Sequence, residues 1–347
     1  MRANIENIKV YKLCLNSPKR IQFKVILNWI LWCLGMKEAV LMIIPSRLYE
    51  GDTIGVISPA GSPDMQRLKK GCDWLKQLGF QVRLGKNIDK KYGYLAGSDE
   101  ERLADFHEMF ADDSVRAVIC SRGGYGTARF ADRIDFDLIR NHPKIFWGYS
   151  DITYLHTAIR QQCGLVTFHG PMLASDLSAP DVPLLSKQLF SQLFQPMSLR
   201  YDEHLSPLST LHGGIAEGKL VGGNLSLLVS SIGTPFEIDM RKKLVLIEDI
   251  GEAPYRIDSM LNQLRVVGKL DQAAGFIIGD IHQSPSKEKK DSLTYQEVIR
   301  TYLGSLGKPV VGGFLIGHCA PNFSVPLGVD AMLDADRKQL WIQPGVM

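Results

Sequence analysis

The sequence predicts an α/β protein of two domains, the first a parallel sheet with helices on both faces. Three observations lead there. Short apolar runs alternate with helical periodicity from about residue 53 to residue 163, the pattern of strands joined by crossover helices. The rhythm stops over residues 173–218, where Pro180, Pro183, Pro196 and Pro207 fall among polar runs. It then resumes, with three further apolar runs separated by helical segments.

The elements follow in order. Thr53-Ile54-Gly55-Val56-Ile57-Ser58 is a short buried strand closed by the loop residues Pro59-Ala60-Gly61-Ser62-Pro63. Helical periodicity over residues 65–78 stops at Gly79, and residues 80–84 are the next strand. Ser98-Asp99-Glu100-Glu101 is a capping box that opens a helix running to about Phe110. Residues 115–120 and 145–148 are strands, and a helix-forming run covers residues 154–159. The proline-bearing segment 173–218 reads as a linker or flap. Beyond it, strands are expected at residues 244–247, 275–279 and 309–313, with helices over 257–267 and 294–303. These make a second α/β or mixed domain, over residues 219–347.

Composition bounds the function. A chain of 347 residues with 45% apolar and 22% charged side chains is an ordinary globular protein, long enough for about two domains. Its net charge of +3 comes from residues 1–41, which hold seven Lys or Arg against Glu6 and Glu38. The remainder is slightly acidic, so a nucleic-acid partner is not expected. Six cysteines are scattered without Cys-x-x-Cys spacing, which points to reduced thiols in a cytoplasmic protein and to neither zinc nor disulfides. Residues 25–34 form an apolar run after Lys19, Arg20 and Lys24, the length of a signal-peptide core and too short to span a bilayer. No small-x-small cleavage site follows, and Met42 opens a normal domain. A start at Met42 is therefore weighed above an export signal, and no stable membrane association is expected.

Four motifs carry candidate chemistry. In Gly148-Tyr149-Ser150-Asp151 an apolar strand passes through Gly-x-Ser straight into a helix, the way a chain lifts a nucleophilic hydroxyl off a sheet. Ile152 stands where Gly-x-Ser-x-Gly has its second glycine, so the match is partial. Ser121-Arg122-Gly123-Gly124-Tyr125-Gly126-Thr127 follows a strand, and its glycines allow backbone N–H groups to face an anion. Arg129 breaks the dinucleotide pattern at its third glycine, so donation to an oxyanion near Ser150 fits better than phosphate binding. Glu248-Asp249-Ile250-Gly251-Glu252 places carboxylates at a strand end; Asp249 and Glu252 suit helix capping, which leaves Glu248 to orient a histidine. His318, in Gly317-His318-Cys319, has the best setting of the eight histidines for a general base, with His169 as rival and His282 behind it. Cys120 and Cys319 are alternative thiol nucleophiles. Gly222-Gly223-Asn224 opens a second glycine-flanked helix, for substrate contact or domain packing.

Taken together, Arg122-Gly123-Gly124-Tyr125-Gly126, Gly148-Tyr149-Ser150-Asp151, Phe168-His169-Gly170-Pro171-Met172, Gly222-Gly223-Asn224-Leu225, residues 248–258 and Gly317-His318 resemble the LD-carboxypeptidase family of serine peptidases, which includes the microcin C immunity peptidases. The resemblance runs in family order from about Ile43 to the C-terminus and leaves residues 1–41 outside. It implies a flavodoxin-like or amidotransferase-like N-terminal domain over residues 42–172 that supplies the serine, and a C-terminal domain that supplies Glu and His. The active site would lie at their interface, with domain closure part of catalysis.

By that resemblance Ser150 is the nucleophile, His318 the general base and acid, and Glu248 its orienting carboxylate. The backbone amides of Asp151 and of the Gly123-Gly124 turn, Gly124 slightly preferred, would hold the oxyanion. Arg122, Tyr125 and Arg256 are candidates for substrate binding, with structural ion pairing the alternative for both arginines. The implied reaction cleaves the bond between an L-diamino acid and terminal D-alanine of a murein peptide, through an acyl-enzyme, with no metal or cofactor. Cleavage of aminoacyl nucleotides is the second reading. Between Leu173 and Lys219 there are Phe190, Phe194 and Tyr201 but no tryptophan to serve a nucleotide base, which favours murein. A non-enzymatic carboxylate-binding protein is the alternative of another class, and a homodimer is left open.

Overall fold

The computed structural model describes residues 42–282 and 292–347. The extension 1–41, with its readings as displaced start or export signal, lies outside the described residues. The first half alternates as expected: β1 (Thr53–Ile57), α1 (Met65–Gln77), β2 (Gln81–Leu84), α2 (Asp99–Ala111), β3 (Val115–Cys120), α3 (Phe136–Asn141), β4 (Ile145–Gly148), α4 (Thr153–Cys163) and β5 (Thr167–His169). Helix ends have identifiable chemistry. The Asp64 carboxylate accepts the N–H groups of Gln66 and Arg67 at the start of α1. Ser98 and Glu101 close a reciprocal capping box on α2. Gly164, in the left-handed region, ends α4.

Strands β5, β4, β3, β1 and β2 lie side by side and parallel, in register through pairs such as Trp147↔Phe168, Ala117↔Ile145 and Ile54↔Ala117. This is the flavodoxin-like order, with neighbours on opposite sides of β1. Loops leaving the carboxyl ends of β1 and β3 therefore diverge and leave a crevice between them. The loop after β1 and the glycine turn after β3 stand there, joined where Gly61 N–H donates to Gly123 O at 3.2 Å.

The second half contains α5 (Leu184–Gln188), β6 (Leu199–Tyr201), β7 (Ser209–His212), β8 (Ile215–Asn224), α6 (Leu225–Ser230), β9 (Lys243–Ile250), α7 (Pro254–Val266), α8 (Lys269–Gln272), β10 (Gly275–His282), α9 (Tyr295–Leu303), β11 (Val310–Gly312), β12 (Val325–Leu327), β13 (Asp330–Asp334) and β14 (Gln339–Ile342). Its sheet runs β6-β14-β13-β8-β9-β10-β11-β7. The central strands β8 to β11 are parallel and the outer ones antiparallel.

Two features differ from the sequence expectation. The segment 173–218, expected as linker or flap, supplies β6 and β7, the two opposite edges of the second sheet. Such short strands, set among prolines, have no room to display a period of two. From the far end of the chain, β12 crosses back to pair antiparallel with β5, Val325 opposite His169. A three-residue pairing leaves no pattern by which sequence could assign it to the first sheet.

One apolar cluster joins the halves, with Val56, Trp147 and Phe168 from the first and Leu220, Leu246, Phe314 and Ile316 from the second. Each such side chain stabilises the structure by about 1.5–3 kcal/mol relative to exposure. The two halves thus share a core. Among the described residues, no helix is long and apolar enough to cross a membrane.

Candidate active site

Ser150 leaves β4 with φ of 64°, one of three described non-glycine residues with positive φ. That left-handed turn is unfavourable for an L-residue by about 1–2 kcal/mol. It starts a 3-10 turn over Ser150–Ile152 that feeds directly into α4, the strand-to-helix elbow expected from the sequence. The elbow is tied to the glycine turn. Thr127 N–H donates to Asp151 Oδ2 at 2.9 Å, and Thr127 Oγ1–H donates to Asp151 O at 2.8 Å. Burial pushes the Asp151 carboxyl up, with the Thr127 bonds opposing. Its side chain is thus anchored in the framework, and only its backbone remains for an oxyanion.

The glycine turn packs tightly on the serine. A Cβ on Gly123 would lie 2.9 Å from Ser150 Cβ and 3.0 Å from its Oγ, so glycine is required for this approach. Because a trans peptide points C=O and N–H in opposite directions, the bond from Gly61 to Gly123 O turns the Gly124 N–H away from Gly61. Arg102, buried beneath the turn, donates from Nη1 to Pro59 O and Gly126 O at 2.6 and 2.8 Å.

Glu248, the sixth residue of β9, is fully buried. His318 lies in the loop after β11, and its Nδ1 stands 2.7 Å from Glu248 Oε2. Gly317 permits this: a Cβ there would come within 2.6 Å of the same oxygen. Burial disfavours the charged His318 ring, but the Glu248 hydrogen bond and charge, helped by Asp176 and Asp249, outweigh it and raise its pKa. Burial pushes the Glu248 carboxyl up as well, against the pull of His318. The ring and carboxyl therefore compete for one proton. We place it on Nδ1, donating to the carboxylate, because the nearby Asp176 and Asp249 charges favour a protonated ring.

The ring of His318 lies against Tyr149, centroids 4.8 Å apart, so the histidine is brought to the residue that precedes Ser150. Among the described residues none is hydrogen-bonded to Ser150 Oγ. Serine–histidine bonds are commonly long before substrate arrives. The halves are also locked by Asn224 N–H donating to Thr153 Oγ1 at 3.1 Å. Gly223, with φ of 134°, allows it: a Cβ there would meet that hydroxyl at 2.7 Å.

The other candidates sort by surroundings. His169 is buried with neither ring nitrogen hydrogen-bonded, and burial holds its pKa well below the ordinary range. It is a framework residue beside Tyr149 rather than a base. The side chain of His282 lies outside the described residues. Burial raises the Cys120 thiol well above its usual value and pushes Cys319 up to about 12, so neither is a ready thiolate. Asp249 accepts from Asn224 Nδ2, Ser226 N, Ser226 Oγ and Ile250 N at 2.8–3.0 Å. It thus braces the first turn of the preceding helix α6, whose N-cap is Asn224, whereas the next helix, α7, which its place after the strand suggested it would cap, starts from Ala253 without a side-chain cap.

Arg122 donates to Gly123 O and Ser62 O at 3.2 Å, bracing the turn. Tyr125 is half exposed, edge-on to Tyr94 at 5.7 Å. Arg256 is exposed on α7, 3.5 Å from Glu252. Ser150, Glu248, His318, Asp151 and Gly124 are gathered by the fold, and Arg122 and Tyr125 border them on the glycine turn. Sequence reasoning gave no role to Tyr149, which stood inside a quoted motif, or to Asp176, which stood in none.

Comparison with known proteins gives the family. The profile of the LD-carboxypeptidase N-terminal domain matches residues 54–170, and that of the LD-carboxypeptidase C-terminal domain matches residues 217–333. A probable murein peptide carboxypeptidase of Bacillus subtilis is 55% identical over 302 residues, 87% of this chain and 95% of that protein. The crystal structure of an MccF-like protein from Bacillus anthracis superposes with a TM-score of 0.79 at 26% identity, covering 87% of this chain and 99% of that one. A muramoyltetrapeptide carboxypeptidase from Oxalobacter formigenes gives 0.76 at 29% identity, covering 85% and 100%. This chain belongs to the LD-carboxypeptidase family of serine-type carboxypeptidases.

Proposed function

We propose that the protein is a cytoplasmic murein carboxypeptidase of peptidoglycan recycling, releasing terminal D-alanine from tetrapeptides by a Ser150-His318-Glu248 triad. The observation that carries this reading is the buried Glu248–His318 pair laid against Tyr149, next to a serine held in the left-handed region. Ser150 Oγ attacks the carbonyl carbon of the L-diamino acid while His318 Nε2 takes its proton. The negative oxygen is met by the backbone N–H groups of Asp151 and Gly124. Collapse breaks the C–N bond, and His318 returns the proton to the departing amine of D-alanine. Water then repeats the attack on the acyl-serine, and Ser150 is released with its proton.

Murein is favoured over an aminoacyl nucleotide by the fate of the aromatics in segment 173–218. Phe190 and Tyr201 are buried, and Phe194 packs against Phe80 and Phe190, so none serves as a platform for a base. The test is mass spectrometry after incubation with murein tri-, tetra- and pentapeptides. Release of D-alanine from tetrapeptide, abolished in Ser150→Ala, is expected. Cleavage of an aminoacyl nucleotide with untouched tetrapeptide would overturn the substrate assignment.

A further inference from the structure

We propose that Asp176 and Tyr149 form a second support for His318: the carboxylate fixes the phenol ring on which the imidazole rests, and its charge stabilises the imidazolium formed when Ser150 is deprotonated. The inference rests on the serine-peptidase reading and adds two positioning residues to it. Asp176 lies in the turn after β5 and is held on both oxygens. Oδ1 accepts from Tyr149 Oη at 2.8 Å; Oδ2 accepts from Met172 N–H at 2.8 Å and Ser175 Oγ at 2.6 Å. The turn is fixed in its own right, since Asp176 N–H and Leu177 N–H both donate to Met172 O, and Ala174 N–H donates to Ser121 O. A carboxylate with three donors is held in one position.

Its grip passes to the catalytic histidine through one side chain. Tyr149 is buried, its hydroxyl is anchored on Asp176, and its ring meets His318 at 4.8 Å with planes inclined by 49°. The other side of the site is equally occupied, because Tyr149 also meets His169 at 5.5 Å. His318 is thus held by a hydrogen bond at Nδ1 and by an aromatic contact on its ring, two constraints that leave it little rotational freedom. When the ring becomes cationic during turnover, it gains attraction from the phenol face as well as from the carboxylates.

The charged and titratable groups facing His318 come from several elements. Glu248 and Asp249 belong to β9, Asp176 to the turn after β5, His169 to β5 and Cys319 to the same loop. Asp280 on β10 acts on neighbouring Cys319. Glu248 touches the ring directly; Asp176 is the carboxylate that reaches it through a fixed aromatic side chain. A purely structural Asp176 would support the turn with no effect on the proton affinity of His318.

The test separates those roles. In Asp176→Asn the acidic limb of kcat/KM is expected to move to lower pH, and the plateau to fall about tenfold. The titration of His318 read by NMR in Ser150→Ala should move in the same direction when Asp176→Asn is added. A limb and an NMR titration both at their original positions would overturn the proposal. If Asp176→Asn does not fold, the Tyr149 variants decide: Tyr149→Phe is expected to lose about threefold and Tyr149→Leu more than tenfold in kcat/KM. Equal losses would remove the aromatic support. Failure of the serine reading looks different, since Ser150→Ala would then retain activity while the NMR titration still reports on Asp176.

Discussion

Glu248 Oε2 and His318 Nδ1 stand 2.7 Å apart although 70 residues separate them in the chain. The carboxylate is inaccessible to solvent, and the histidine is nearly so. In the proposed mechanism this contact sets the tautomer that leaves Nε2 free to accept a proton from Ser150.

Removing the Glu248 charge should therefore lower activity and alter its pH dependence. His318 must be neutral to act as a base, and its pKa is raised above the ordinary 6.5. In the wild type, kcat/KM should rise through a limb lying above 6.5. In Glu248→Gln the plateau should fall by on the order of a hundredfold or more. With hydrogen bond and charge weakened, burial dominates and the limb moves to lower pH. A pH–rate profile of both proteins checks this, and an unmoved limb would contradict the coupling.

The left-handed turn at Ser150 should appear as stored strain. Alanine keeps that strain, while glycine relieves about 1–2 kcal/mol of it and gives back about 0.5–1 kcal/mol in unfolded-chain entropy. Ser150→Gly should thus be more stable than Ser150→Ala by about 0.5–1 kcal/mol, with both inactive. Urea denaturation of the two variants decides, and a glycine variant less stable than the alanine variant by about 0.5–1 kcal/mol would mean that the turn costs nothing.

Gly317 gives a test of the Glu248 carboxylate position that leaves both charged partners in place. Gly317→Ala puts a methyl 2.6 Å from Glu248 Oε2, and kcat/KM should drop more than about tenfold through misplacement of the pair. Gly268, with φ of 72° and nothing within 4 Å of a built Cβ, supplies the control. Gly268→Ala should cost about 1 kcal/mol of stability and leave kcat/KM unchanged. Equal activity in both variants would show that Gly317 is needed only for its backbone.

Acid stability should depend on His156, which lies under the elbow with Nε2 2.8 Å from Gly148 O. Burial, against the Gly148 bond, lowers its pKa from 6.5 to about 4. The unfolded chain then binds the extra proton, so this contribution is present above 6.5 and lost as pH falls toward 4. His318, raised instead, is protonated in both states across most of that window and adds little slope. His156→Gln retains an N–H for Gly148. It should flatten the pH dependence of unfolding between 4 and 6.5 by up to about 1.4 kcal/mol per pH unit. Chemical denaturation across that range measures it, and identical slopes would rule the histidine out.

The elements of the first half were legible because each has a local cause: the capping box at Ser98, the glycine stop after α1, the apolar runs of β1, β3 and β4. The same holds for the elbow at Ser150 and for the carboxylate at the end of β9. Local chemistry leaves local marks, so residue types, spacing and family resemblance together located these candidates.

Other features depend on partners distant in sequence. Strands β6 and β7 were read as part of a flap because they are too short to show alternation, and β12 joins the first sheet through a pairing 156 residues away, Val325 with His169. Asp176 carried no motif, since its role exists only where the turn after β5 meets Tyr149 and, through it, His318. Sequence by itself determined which side chains can do the chemistry and which backbone positions must bend. Tertiary structure alone decided that they meet, because hydrogen bonds and ring contacts fall off within a few ångströms and only the shared core brings such distant residues that close.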